Sequence, residues 1–124
     1  MVTYTKSNLI NSDWFDLDEL KDEADVLTVV LLDKQSKRVK ITFDSYLSFR
    51  KIHESFALSI LHSLGQQVML PSTLIEAKDS DYLRWFRTEG NGIVENFQIT
   101  HYLILTVDAI IEVLTEEPTT VVAL

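Results

Sequence analysis

The chain has no cysteine, two prolines, three glycines and only 11 Lys and Arg residues against 19 Asp and Glu. Without cysteine there is no disulfide, thiolate zinc site, iron–sulfur cluster or thiol nucleophile. The shortage of bases leaves a formal charge of −8 with neutral histidines. That balance argues against nucleic acid, whose affinity rests on Lys and Arg neutralising phosphates, and against an anionic membrane surface. Apolar runs are short as well. The longest, residues 26 to 32, is interrupted by Thr28 and falls far below the roughly 20 residues of a membrane helix. The first eight residues hold one lysine and no apolar stretch, so no secretory leader is expected and a cytoplasmic location is the default.

What is present is ordinary for a folded domain. The 124 residues are 46% hydrophobic and 24% charged, which suits one hydrophobic core. No repeat, low-complexity tract or linker divides them, so residues 1–124 are expected to form a single domain with an irregular segment over residues 1–11.

Phe15-Asp16-Leu17-Asp18-Glu19-Leu20 carries the signature of a helix start. Asp16 is placed to cap, Glu19 follows three residues later as in a capping box, and Phe15 and Leu20 occupy the staple positions. Residues 25–32 are rich in β-branched and aliphatic side chains and predict a buried strand. After the polar turn 33–37, alternation of Val39, Ile41 and Phe43 with Lys40 and Thr42 predicts its hairpin partner. Residues 45–53 fit neither period, and 54–64 predict a helix ended by Gly65. A short strand is expected over 73–77. Asp79-Ser80 then offers caps for a helix that Gly90-Asn91-Gly92 stops. Residues 97–106 alternate as a strand. Residues 109–114 are expected as another, on their β-branched content, although Asp108 is also placed to cap a helix over 109–117; Val121 and Val122 could add an edge strand. The expected fold is α+β, an antiparallel or mixed sheet of about five strands with two to three helices packed on one face.

No chemical motif is complete. His53-Glu54-Ser55-Phe56-Ala57 begins like a zincin helix, but Ala57 stands where the second histidine belongs, and His62 is nine residues from His53. No metal and no cofactor is expected. No serine lies in a Gly-x-Ser-x-Gly elbow, although triads assemble from distant segments. Gly90-Asn91-Gly92 follows a helix instead of opening one, so it reads as a turn and not a phosphate cradle. Four polar residues remain as members of a pocket between sheet and helices: His53, Glu54, His101 and Tyr102. His101 also has a plainer reading, a histidine hydrogen-bonded inside an apolar strand. Glu54 has one too, as the helical partner of Arg50.

The least random feature is the order of charges. Residues 12–25 carry seven acids against Lys21, and residues 33–51 carry six bases against two acids. Either the acidic segment lies near the basic hairpin, or it faces a basic partner. In the second reading Trp14, Phe15, Asp16, Asp18, Glu19, Asp22 and Glu23 form the partner-binding surface, charge steering the encounter and the aromatic residues anchoring it. In size, acidity and lack of cysteine the chain is similar to small cytoplasmic antidote proteins that neutralise basic toxins. That resemblance implies a non-catalytic, inhibitor-like interaction module. The alternatives are a small-molecule or enzymatic pocket around His101, and a homo-oligomer formed through a sheet edge.

Overall fold

The computed structural model describes residues 1–11 and 13–124. Among these described residues nine strands run in chain order with two α-helices among them: β1 (Thr3–Lys6), β2 (Asp16–Glu23), β3 (Val26–Leu32), β4 (Arg38–Asp44), β5 (Ser48–His53), α1 (Leu58–Gly65), β6 (Leu74–Lys78), α2 (Asp81–Glu89), β7 (Thr100–Leu105), β8 (Ala109–Thr115) and β9 (Thr120–Ala123). A short 3₁₀ turn, Glu54–Phe56, precedes α1. The strands form two sheets, β1-β6-β7-β8-β5 and β2-β3-β4-β9, and every strand pair is antiparallel. The α+β class stands, but the single sheet of about five strands is only one of the two layers of sheet.

Period-two alternation decides how the layers stack. One face of the five-stranded sheet presents Leu74, Tyr102, Ile104, Ile111 and Val113 to Leu27, Val29, Leu31, Ile41 and Phe43 of the other sheet. The opposite face presents Ile75, Ala77, Leu103, Leu105 and Ile110 to Ala57, Leu64 and Val68 around α1. The molecule is therefore sheet on sheet on helix. β7 and β8, covered on both faces, are almost wholly buried, which is why their sequences are nearly continuous apolar runs. Each fully buried aliphatic side chain there contributes about 1.5–3 kcal/mol.

The acidic segment is not a helix. Asp16–Glu23 is β2, an edge strand paired with β3 from Asp16↔Leu32 to Glu23↔Val26. Its register shifts between Leu17 and Glu19, leaving Asp18 as an extra residue. That bulge puts Leu17 opposite Leu31 and Leu20 opposite Val29, so both pack inward although they are three residues apart. A helix-like spacing thus arises in a strand. The β2–β3 turn is two residues long, Ala24 and Asp25, both with positive φ (53° and 63°), as a type I′ hairpin requires. Residues 1–11 are not wholly irregular either: β1 pairs with β6, Tyr4 opposite Ala77.

Other expectations hold at their elements. The β3–β4 hairpin closes over Asp33, whose Oδ1 accepts the amides of Gln35 (2.8 Å) and Lys37 (2.9 Å). Residues 48–53 resolve as strand, residues 109–115 as strand, and β9 adds to β4. Ser80 caps α2 by accepting the Leu83 amide at 3.2 Å. Beyond α2, Arg87 ties down the following loop by donating to the carbonyls of Val94 (2.7 Å) and Phe97 (3.1 Å).

Candidate functional site

The helix-covered face of the five-stranded sheet carries a buried polar chain where apolar packing would be expected. Arg50 on β5 and Glu112 on β8 lie directly opposite each other, and Arg50 Nε donates to Glu112 Oε2 at 2.5 Å. The other carboxylate oxygen, Oε1, lies 2.9 Å from His101 Nε2. His101 Nδ1 lies 2.7 Å from the Ser80 hydroxyl at the start of α2. His101, Glu112 and Ser80 are only 2%, 2% and 5% exposed. Nothing is left unpaired, since no buried side-chain polar atom among the described residues lacks a partner.

An ionised carboxylate only accepts, so His101 Nε2 carries a hydrogen and donates it to Glu112. Ser80 Oγ accepts from the Leu83 amide and, with His101 in its neutral tautomer, donates its own proton to Nδ1. Burial opposes the charge on Glu112, but the bonds from His101 and Arg50 together outweigh it and hold its pKa below the usual value. Tyr82 completes the cluster. Its ring stands edge-on to His101 with centroids 5.4 Å apart, the Arg50 guanidinium sits over its face at 4.1 Å, and its hydroxyl meets Ser48 at 2.5 Å. Burial pushes the Tyr82 phenol pKa up, the Ser48 hydrogen bond opposing it. Trp85, 53% exposed, stacks on Tyr82 from outside. A cavity of about 290 Å³ opens beside these groups, lined by Ser80, His101, Glu112 and Arg50 together with Val2 and Ile60.

Of the four pocket residues expected from sequence, only His101 belongs here. Tyr102, its neighbour on β7, faces the opposite side and packs on Phe43 with ring centroids 5.6 Å apart. His53 is exposed at the end of β5, where its Nδ1 accepts the Ser55 amide at 3.2 Å. It borders a separate cleft of about 560 Å³ with Asp16, Lys51 and Asp108. Glu54 opens the 3₁₀ turn and does not pair with Arg50, which is taken by Glu112. The residues missed were Glu112, Ser80 and Arg50. A signal for Glu112 was available: it is the lone charge inside Ala109–Thr115, and a carboxylate in a buried run needs a partner.

The expected partner surface is also rearranged. Phe15 is 5% exposed and belongs to the core between the sheets, whereas Trp14 is 42% exposed. Asp18, in the bulge, pairs with Arg38 at 3.1 Å, so one contact links the acidic strand to the basic hairpin. Asp22 accepts from the Tyr46 hydroxyl at 2.7 Å, a bond that pushes the Tyr46 pKa up to about 12. Glu23 pairs with Lys21 on its own strand. Asp16, Glu19 and Glu23 stand exposed on β2, whose outer edge has no strand partner among the described residues.

No group of three or more His, Asp or Glu side chains able to hold a metal occurs among the described residues. No helix of the described residues is long and apolar enough to cross a membrane. Comparison with protein-family models, with curated proteins and with solved structures gave no match.

Proposed function

We propose that the protein is an interaction module that docks a basic protein through the acidic edge of its four-stranded sheet, in the manner of an inhibitor or antidote. The observation that supports this reading is the make-up of β2. It is an edge strand whose outer side has no strand partner among the described residues, and Asp16, Glu19 and Glu23 are exposed along it, next to the exposed indole of Trp14. Unpaired edges are ordinarily blunted by charge, which keeps copies of the chain apart. The same charges attract a partner of opposite sign and raise its rate of association. Trp14 supplies an anchor of the type that dominates interface energetics. Phe15 lies in the core, and the exposed Asp18 and Asp22 are engaged by Arg38 and Tyr46, so these three are not part of this surface; the Lys21 that pairs with Glu23 lies on β2 itself.

The test compares the immobilised protein with an Asp16→Asn, Glu19→Gln, Glu23→Gln variant, each loaded with lysate of the native host and washed through a salt series. Specific docking retains one basic protein in stoichiometric amount at low salt, releases it as salt rises, and holds it about tenfold more weakly on the variant, as three rim charges imply. Equal retention by both proteins, or an empty eluate at low salt, overturns the reading.

A further inference from the structure

We infer that Ser80, His101 and Glu112 form a nucleophile–base–acid relay, and that the cavity beside them accepts a short-chain acyl ester for hydrolysis through an acyl-Ser80 intermediate. This inference is independent of the acidic edge, which lies on the other sheet. Three features carry it. First, the bonds run in the order a relay needs: hydroxyl to imidazole at 2.7 Å, imidazole to carboxylate at 2.9 Å, the base oriented by a third group. The imidazole is turned around relative to the serine-protease arrangement, with Nδ1 toward the hydroxyl and Nε2 toward the acid. Both ring nitrogens serve proton transfer, so the order of roles survives. Second, Ser80 sits on a sharp strand-to-helix turn. β6 ends at Lys78, Asp79 takes a φ of 56°, and α2 starts at Asp81. The first amides of α2, those of Asp81 and Tyr82, precede any intrahelical acceptor, so they are donors for an oxyanion beside Ser80. Third, the cavity of about 290 Å³ reaches Ser80 and His101; Val2 and Ile60 give it a small apolar side for a short acyl chain, and Arg50, Asp81 and Arg84 line the rest.

The step balances without a co-reactant other than water. Ser80 Oγ attacks the ester carbonyl carbon as His101 Nδ1 takes its proton. The bond to the alcohol oxygen breaks, and that oxygen receives the proton from Nδ1, leaving acyl-Ser80. Water then gives a proton to Nδ1 and adds to the acyl carbon. The Ser80–acyl bond breaks, Ser80 recovers its proton, and a carboxylic acid departs. Glu112, held by Arg50, faces the imidazolium while it lasts.

The experiment treats the folded protein with p-nitrophenyl acetate or a fluorophosphonate, quenches in acid and locates the adduct by peptide mass spectrometry. A single adduct on Ser80 is expected, absent after denaturation and reduced at least about a hundredfold in His101→Gln, the scale of a lost general base. Circular dichroism establishes that the variant is folded. Should it not fold, the wild-type protein decides alone. No adduct on Ser80 in the native state, or equal labelling of native and denatured chains, overturns the proposal. Labelling of folded His101→Gln at the wild-type rate does so as well.

Discussion

Arg50 and Glu112 face each other across the β5–β8 pair, joined by a 2.5 Å hydrogen bond in which the arginine is half-exposed and the glutamate buried. The arginine brings a charge to a carboxylate that the sheet would otherwise strand in an apolar layer. The asymmetry sets the consequence of cutting the pair from each side. Glu112→Leu leaves Arg50 able to rehydrate and His101 with an unused donor, and should cost about 2–4 kcal/mol. Glu112→Gln keeps an acceptor for His101 and should cost less. Arg50→Met, which leaves the buried carboxylate with His101 alone, should cost as much as the leucine substitution or more. Urea unfolding of the three variants ranks them.

The same carboxylate gives stability a pH dependence of known sign. Its folded pKa lies below the usual glutamate value. Its contribution is therefore complete above the unfolded value and is lost as pH falls through the folded one. The stability gap between wild type and Glu112→Gln should be constant from about pH 7 to pH 5 and should shrink below about pH 4.5. Denaturant midpoints measured across that range check this. A gap that widens on acidification would contradict the geometry.

The tight turn at Ala24-Asp25 places two residues at positive φ where neither is glycine or asparagine. A left-handed conformation costs an ordinary residue roughly 1 kcal/mol. Replacing the pair by Asn-Gly, the preferred type I′ sequence, should raise stability by about 1 kcal/mol. A higher thermal midpoint with an unchanged denaturant slope is the expected record.

Trp14 and Phe15 are adjacent but lie in different environments. Phe15→Ala should cost about 3–5 kcal/mol through the cavity it leaves. Trp14→Ala should cost about 1 kcal/mol or less and, under the docking proposal, weaken partner retention. Chemical denaturation of both variants tests the contrast directly.

Individual strands and the α2 helix were legible because they follow simple periods. Val39, Ile41 and Phe43 alternate in β4, the Ser80 cap and the glycines after Glu89 bound α2, and the β-branched run Ala109–Thr115 is strand. β2 was not legible. Its bulge at Asp18 spaces Leu17 and Leu20 like a helix face, its acids imitate a capping box, and its turn lacks the residues that advertise one. Pairing with β3 overrode the local preference. The second sheet stayed hidden with it. At the site, His101 stood out as a histidine in an apolar strand, but its partners come from a helix cap 21 residues earlier and a strand 11 residues later. Such convergence is set by sheet register, which sequence spacing does not state.

His101 and Tyr102 share a strand and serve opposite layers. A slip of β7 by one residue would drive the imidazole into the aromatic packing around Phe43 and turn the phenol of Tyr102 toward Glu112. A one-residue slip thus leaves Glu112 without its histidine donor, with Arg50 alone to hold it, and puts a polar ring in a dry layer. The polar chain across the helix-covered face therefore penalises that slip, which uniform apolar strands would tolerate.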